Sequence, residues 1–119
     1  MLSMQTKLYK FYTALADLEE LGCKVYHDDA DSRAAFPYLV WSEEAEDESL
    51  NAENRKQEQS IAGFVNYYTT TEFDPIVDMI QDVLNDQDGL SWTFASRIPY
   101  DPAFEGNNAI TYSWTWRLR

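Results

Sequence analysis

Near the start of the chain, Leu8, Phe11, Tyr12, Leu15, Leu18 and Leu21 recur at three- and four-residue spacing. That spacing puts them on one face of a helix, with Lys7, Lys10, Asp17 and Glu20 elsewhere on its surface. Gly22 follows as a stop, because glycine accepts the left-handed backbone that ends many helices. A second helix start is clearer. Asp74 offers a capping carboxylate and Pro75 suits the first helical position. Phe73, Ile76, Val77, Ile80, Val83 and Leu84 then form an apolar stripe, and Asp88-Gly89 ends the unit.

Between and after these helices the period changes to two. Cys23 to His27 reads as a short strand, and Asp28-Asp29-Ala30-Asp31-Ser32 as a turn or loop. Pro37 opens a strand over about Tyr38 to Ser42, and Ile61 to Thr70 is another with apolar residues on both faces, as in a central strand. Glu43 to Glu58 holds seven acidic residues against Arg55 and Lys56. It is expected to form an exposed loop or the tip of a hairpin. At the end of the chain, Leu90, Trp92, Phe94 and Ile98 share one face, while Ser91, Thr93, Ala95 and Arg97 take the other. Ile110, Tyr112, Trp114, Trp116 and Leu118 oppose Thr111, Ser113, Thr115 and Arg117 in the same way. Tyr100 to Asn108, with Pro102, Gly106 and Asn107, links the two. The order α-β-β-(β)-α-β-β predicts an α+β fold: an antiparallel sheet of four or five strands with two amphipathic helices packed on one face.

Length and composition narrow the picture. The 119 residues predict a single domain, 1–119. The longest apolar stretch, Phe36 to Trp41, is far short of the ~20 residues that span a membrane. No apolar leader is visible after Met1, so cytoplasm is the expected compartment. The net charge is −12. Such a chain is repelled by phosphates, so direct nucleic-acid binding and anionic membrane binding are not expected, and any charged partner is basic.

Much of the usual catalytic equipment is missing. There is no G-x-x-x-x-G-K, G-x-G-x-x-G, H-E-x-x-H, C-x-x-C or G-x-S-x-G motif. One His and one Cys leave few ways to build a nucleophile–base pair. His27, Asp28, Asp29 and Asp31 have the donor types of a cation site but lack the EF-hand spacing, and a solvated Asp-rich turn accounts for them. Carboxylates are so numerous that no acid–base pair stands out. The expectation is therefore a protein that is not an enzyme, with no catalytic residues, cofactor or metal.

Contact surfaces are the alternative use of these residues. Asp74, Asp78, Asp82 and Asp86 repeat every four residues along the second helix, where like charges repel by about 0.2–0.5 kcal/mol per pair. A solvated face explains them; a stripe facing a basic partner explains them too. Residues 89–119 carry Arg97, Arg117 and Arg119 against Asp101 and Glu105, a net of +1, which leaves −13 on the rest. Opposite charge on two parts of one chain suits head-to-tail association of copies, which closes into rings when the rotation allows. The candidate partner or subunit contacts are Glu43, Glu44, Glu46, Asp47 and Glu48 in the acidic segment, Asp78, Asp82 and Asp86 on the helix, and Arg97 and Arg117 on the strands.

The arrangement also resembles a known family. The N-terminal helix, the Asp-rich turn, Phe36-Pro37-Tyr38-Leu39-Val40, the charged segment, the long strand, the Phe73-Asp74-Pro75-Ile76 helix start and two aromatic alternating strands together resemble the tail terminator (tail completion, or head–tail joining) proteins of long-tailed bacteriophages and prophages. The resemblance spans nearly the whole chain and rests on element order. It implies a virion structural protein, present in the host cytoplasm during assembly. Such a protein forms a hexameric ring on the head-proximal end of the tail tube. There it stops tube growth, and its partners are its own copies, the tail tube protein and the head–tail connector proteins. Related neck components share this outline. The alternative class is an acidic DNA-mimic inhibitor of a DNA-binding protein, since high negative charge can imitate phosphates.

Overall fold

The computed structural model describes residues 4–31, 34–46, 60–100, 104 and 108–119. The elements are α1 (Met4–Ala16) with a 3-10 helix (Asp17–Leu21), β1 (Lys24–His27), β2 (Tyr38–Glu46), β3 (Ile61–Thr69), α2 (Ile76–Asp86), β4 (Leu90–Ile98) and β5 (Ile110–Leu118). This is the expected α+β order. The sheet runs β1-β2-β3-β5-β4, so β3 is central. Three pairings are antiparallel; β1 and β2 run parallel. Among the described residues no helix is long and apolar enough to cross a membrane.

The first helix ends as its glycine predicts. Gly22 sits at φ 92° and its N–H donates to the Glu19 carbonyl at 3.1 Å. Leu8, Phe11, Leu15 and Leu18 are buried, but Leu21 is 50% exposed. It follows the change to 3-10 pitch, which alters the phase of the stripe. Tyr12 is also exposed, its ring tilted against Trp41.

Register places Leu39, Trp41, Val65, Tyr67, Trp114, Trp116 and Leu118 on the face the helices cover. Phe11 reaches down from α1 edge-on to Trp41 and Trp116, with ring centroids 5.4 and 5.1 Å away. Gly63 makes this possible. A Cβ there would run into the Trp116 ring and the Ser42 carbonyl. The indole instead lies close to the strand and donates to the Phe64 carbonyl at 3.0 Å.

The other face is polar only in part. Around β4 and β5 it carries the exposed Ser91, Thr93, Thr115 and Arg117, as the alternation predicts. Toward β1 it carries an aromatic cluster. Tyr38 stacks on Tyr68 at 4.7 Å, and Phe36, Tyr26 and Phe104 pack around them. These rings give the sheet a second, smaller apolar layer.

One polar network joins the layers. Asp74 is buried, yet its carboxylate has three donors. Oδ1 accepts the Ile76 N–H at 2.9 Å, and Oδ2 accepts Tyr67 Oη–H at 2.6 Å and Thr69 Oγ1–H at 2.8 Å. The predicted cap therefore also bolts α2 to the central strand. Phe73, by contrast, leaves the expected stripe and is 89% exposed. Its backbone is left-handed, at φ 56°. The helix position that such a residue staples against is Asp78, which offers no apolar partner.

Removing the Asp74 carboxylate strands two buried hydroxyls. Asp74→Ala is expected to lower stability by about 3 kcal/mol, and Tyr67→Phe by about half as much, since hydrogen bonds to charged groups contribute roughly 1.5–3 kcal/mol. Urea denaturation of the three proteins tests this; an Asp74→Ala midpoint equal to wild type would refute the network's role.

Candidate interaction surfaces

The acidic helix stripe faces outward because the rest of α2 is committed to the sheet. Ile80 and Leu84 enter the core. Gln81 accepts the Trp114 indole N–H at 3.2 Å, and Asn85 that of Trp92 at 2.8 Å. Asp78, Asp82 and Asp86 are left exposed. Asp82 and Asp86 line a groove of about 420 Å³ between α2 and the end of α1, together with Asp17 and Glu20. Asp78 is not part of it. In the sequence Asp17 and Glu20 lie on the first helix with nothing to link them to the stripe. Their signal was their position in the last turns of that helix, where no basic residue follows.

The acidic segment expected as loop or hairpin tip begins later than predicted. β2 continues through Glu43, Glu44 and Glu46, because β3 pairs with it as far as Glu46 opposite Ile61. A bulge at Glu44 interrupts that ladder. Asp47 and Glu48 lie outside the described residues, as does the rest of the segment to Gln59. Glu43 is already partnered: Oε1 lies 2.9 Å from His27 Nε2. The imidazole stacks on Trp41 at 4.0 Å and 8°. Tyr9 and Tyr12 complete a cleft of about 540 Å³ above these side chains.

His27, Asp28 and Glu43 also bring three ligand atoms within 4.8 Å of one another, a donor set able to hold a divalent cation. Asp29 and Asp31, grouped with His27 from the sequence, are not in it. Asp28 Oδ1 lies 3.6 Å from His27 Nε2 and accepts Ser42 Oγ–H at 2.8 Å. Glu43 is held by its hydrogen bond with His27 and Asp28 by the one it accepts from Ser42.

The strand arginines part company. A bulge between Phe94 and Ser96 inserts Ala95 and reverses the alternation after it. Arg97 therefore joins the Tyr112 side, where its guanidinium lies 5.8 Å from the ring centroid and Nε donates to Tyr112 Oη at 3.3 Å. Ile98 goes to the other face and is 42% exposed. Both assignments reverse the expectation. Arg117 stays on the open face, opposite Ser91. β4 is an edge strand, nine residues long, with Phe94 44% exposed and Arg97 its only charge.

Two buried groups beneath these surfaces have displaced acidities. Burial, then the negative Asp74 and Glu19, push the Cys23 thiol from 9.0 up to about 12. Tyr67 is raised as well, by burial first and then by the hydrogen bond it donates to Asp74. No protein-family model matches this chain's sequence, and no curated protein does.

The raised thiol makes stability depend on alkaline pH. Above about pH 9 the unfolded chain gives up the Cys23 proton, whereas the folded chain keeps it to about 12. The unfolded state binds fewer protons across that window, so stability falls as pH rises through it. Cys23→Ala is expected to flatten the fall, measured as urea midpoints from pH 8 to 11; an unchanged slope would refute the assignment.

Proposed function

We propose that the chain is a structural protein of a long-tailed phage or prophage, a tail terminator. In this reading its copies form a ring at the head-proximal end of the tail tube, stop tube growth and join the head–tail connector. The element order that carries the resemblance is the order of the fold. The observation that best supports self-association is the β4 edge. Edge strands of soluble proteins are commonly short, highly charged or covered, because their free backbone groups recruit other chains. β4 is long and carries a single charge, Arg97, and the Ala95 bulge is its one interruption. The opposite edge, β1, leads into the acidic turn at Asp28 and Asp29. Unlike edges favour a heterologous, head-to-tail contact over a two-fold one. In this reading the acidic residues and arginines serve contacts between proteins, and no catalytic group is required.

The expected result is a closed ring by light scattering over a concentration series, alone or on added tail tubes. Thr93→Lys combined with Ile98→Lys places charge on the edge and should leave a folded monomer that no longer caps tubes. A wild-type chain that stays monomeric and ignores tubes would overturn the terminator reading. Tight, salt-sensitive binding to a nuclease in a panel would instead establish the DNA-mimic alternative. A double variant that still forms the ring would refute the role of the β4 edge.

A further inference from the structure

We infer that the groove between α2 and the end of α1 is a docking site for a basic amphipathic helix of a partner protein. The inference goes beyond the ring and does not rest on it. It begins with the groove's composition. Leu21, Met79 and Val83 supply an apolar lining, and Leu21 and Met79 are 50% and 38% exposed. Asp17, Glu20, Asp82 and Asp86 supply carboxylates, and no basic side chain is among the lining residues. Water-exposed Leu and Met within a four-carboxylate border match the apolar stripe and cationic flanks of an amphipathic helix. Methionine's flexible thioether suits a surface that must fit a partner's side chains.

The electrostatics point the same way. α2 and the α1 run both bring their C-terminal portions to this groove. Helix C-termini carry negative partial charge, which favours cations. Neither helix has a basic residue in its last turn, and acids stand there instead. Asp82 and Asp86 repel each other at i, i+4. No basic side chain lines the groove to offset these costs, and a cationic partner offsets all of them together. Asp82 and Asp86 are one turn apart, about 6 Å along the axis. Lys or Arg at i and i+4 of the incoming helix matches that interval. Anionic lipid and nucleic acid are repelled by the same charges.

The test uses the full chain and a labelled Leu/Lys peptide of about 18 residues, long enough to fold as a helix on contact. A peptide of equal composition with the helical pattern scrambled is the control. The patterned peptide is expected to bind at micromolar concentration and the scrambled one at least about tenfold more weakly, because the apolar stripe is lost. Asp82→Lys with Asp86→Lys should weaken the patterned peptide by at least about tenfold. Glu44→Lys with Glu72→Lys makes the same change in net charge away from the groove and should leave binding within about twofold. Met79→Ser, which leaves the charge intact, should weaken the patterned peptide alone. Equal affinity for both peptides, equal loss in both charge-reversal variants, or no binding at millimolar peptide would overturn the proposal. So would selective competition by calcium at matched ionic strength, which would make the groove a cation site. Light scattering on the same variants separates this from the ring. A ring that survives Asp82→Lys/Asp86→Lys while peptide binding is lost supports a separate partner, whereas loss of both assigns the groove to a second copy of the chain.

Discussion

A single buried carboxylate fixes how the second helix meets the sheet. Asp74 sits where β3 has ended and α2 begins, and it takes one hydrogen bond from the helix backbone and two from side chains of the central strand. A buried charge is tolerable only when it is well hydrogen-bonded, and here three donors come from both layers at once. The consequence is positional. With the helix start pinned over Tyr67 and Thr69, Ile80 and Leu84 fall into the core, and Gln81 and Asn85 fall over the indoles of β5 and β4. The carboxylates of Asp82 and Asp86 are left to face the end of α1. The groove is thus a result of the cap as much as of the residues that line it.

The second constraint is the close approach at Gly63. Three rings meet beside it, Phe11 from the helix and Trp41 and Trp116 from the strands on either side of β3, and Trp116 takes the space a Cβ on the glycine would fill. Interiors pack at crystal-like density, so an indole of this size lies flat on a sheet only where the strand beneath yields space. This packing takes three of the aromatic rings on the helix side, and Tyr67, Tyr112 and Trp114 continue the layer along β3 and β5. The smaller aromatic cluster around Tyr38 and Tyr68 uses part of the remainder on the other face. That is why a sheet whose last two strands alternate so cleanly is nonetheless not apolar on one side and polar on the other.

Sequence pattern carried the fold wherever a period ran unbroken. The order of elements, the glycine stop at Gly22, the cap at Asp74 and the central position of β3 all follow from local rules. The failures mark places where a tertiary choice intervened. The bulge at Ala95 adds one residue and exchanges the faces of Arg97 and Ile98, and no local signal in Thr93-Phe94-Ala95-Ser96 announces it. The parallel pairing of β1 is set by where the chain goes after Asp28, not by the composition of Lys24 to His27. β2 runs on into Glu43 and Glu44 because β3 supplies a ladder, even though acidic residues are poor strand formers. For the contact surfaces, the helix stripe was legible from its four-residue spacing, but its partner carboxylates were not. Asp17 and Glu20 are separated from Asp82 by about half the chain, and only folding brings them to one groove.

The two proposed contacts draw on different physics, and that difference is testable within one molecule. An edge-strand contact at β4 relies on backbone hydrogen bonds and apolar side chains such as Phe94, which simple salts scarcely weaken. A contact in the carboxylate groove relies on exposed charges, screened over about 8 Å at physiological ionic strength. Raising salt should therefore release a basic helix from the groove while leaving an edge-built ring intact. The net charge of −12 acts on the ring in the opposite sense, since copies that each carry it repel one another until salt screens them. Assembly that strengthens with salt while peptide binding weakens would show that the two surfaces act independently. A parallel response would show that one electrostatic contact serves both.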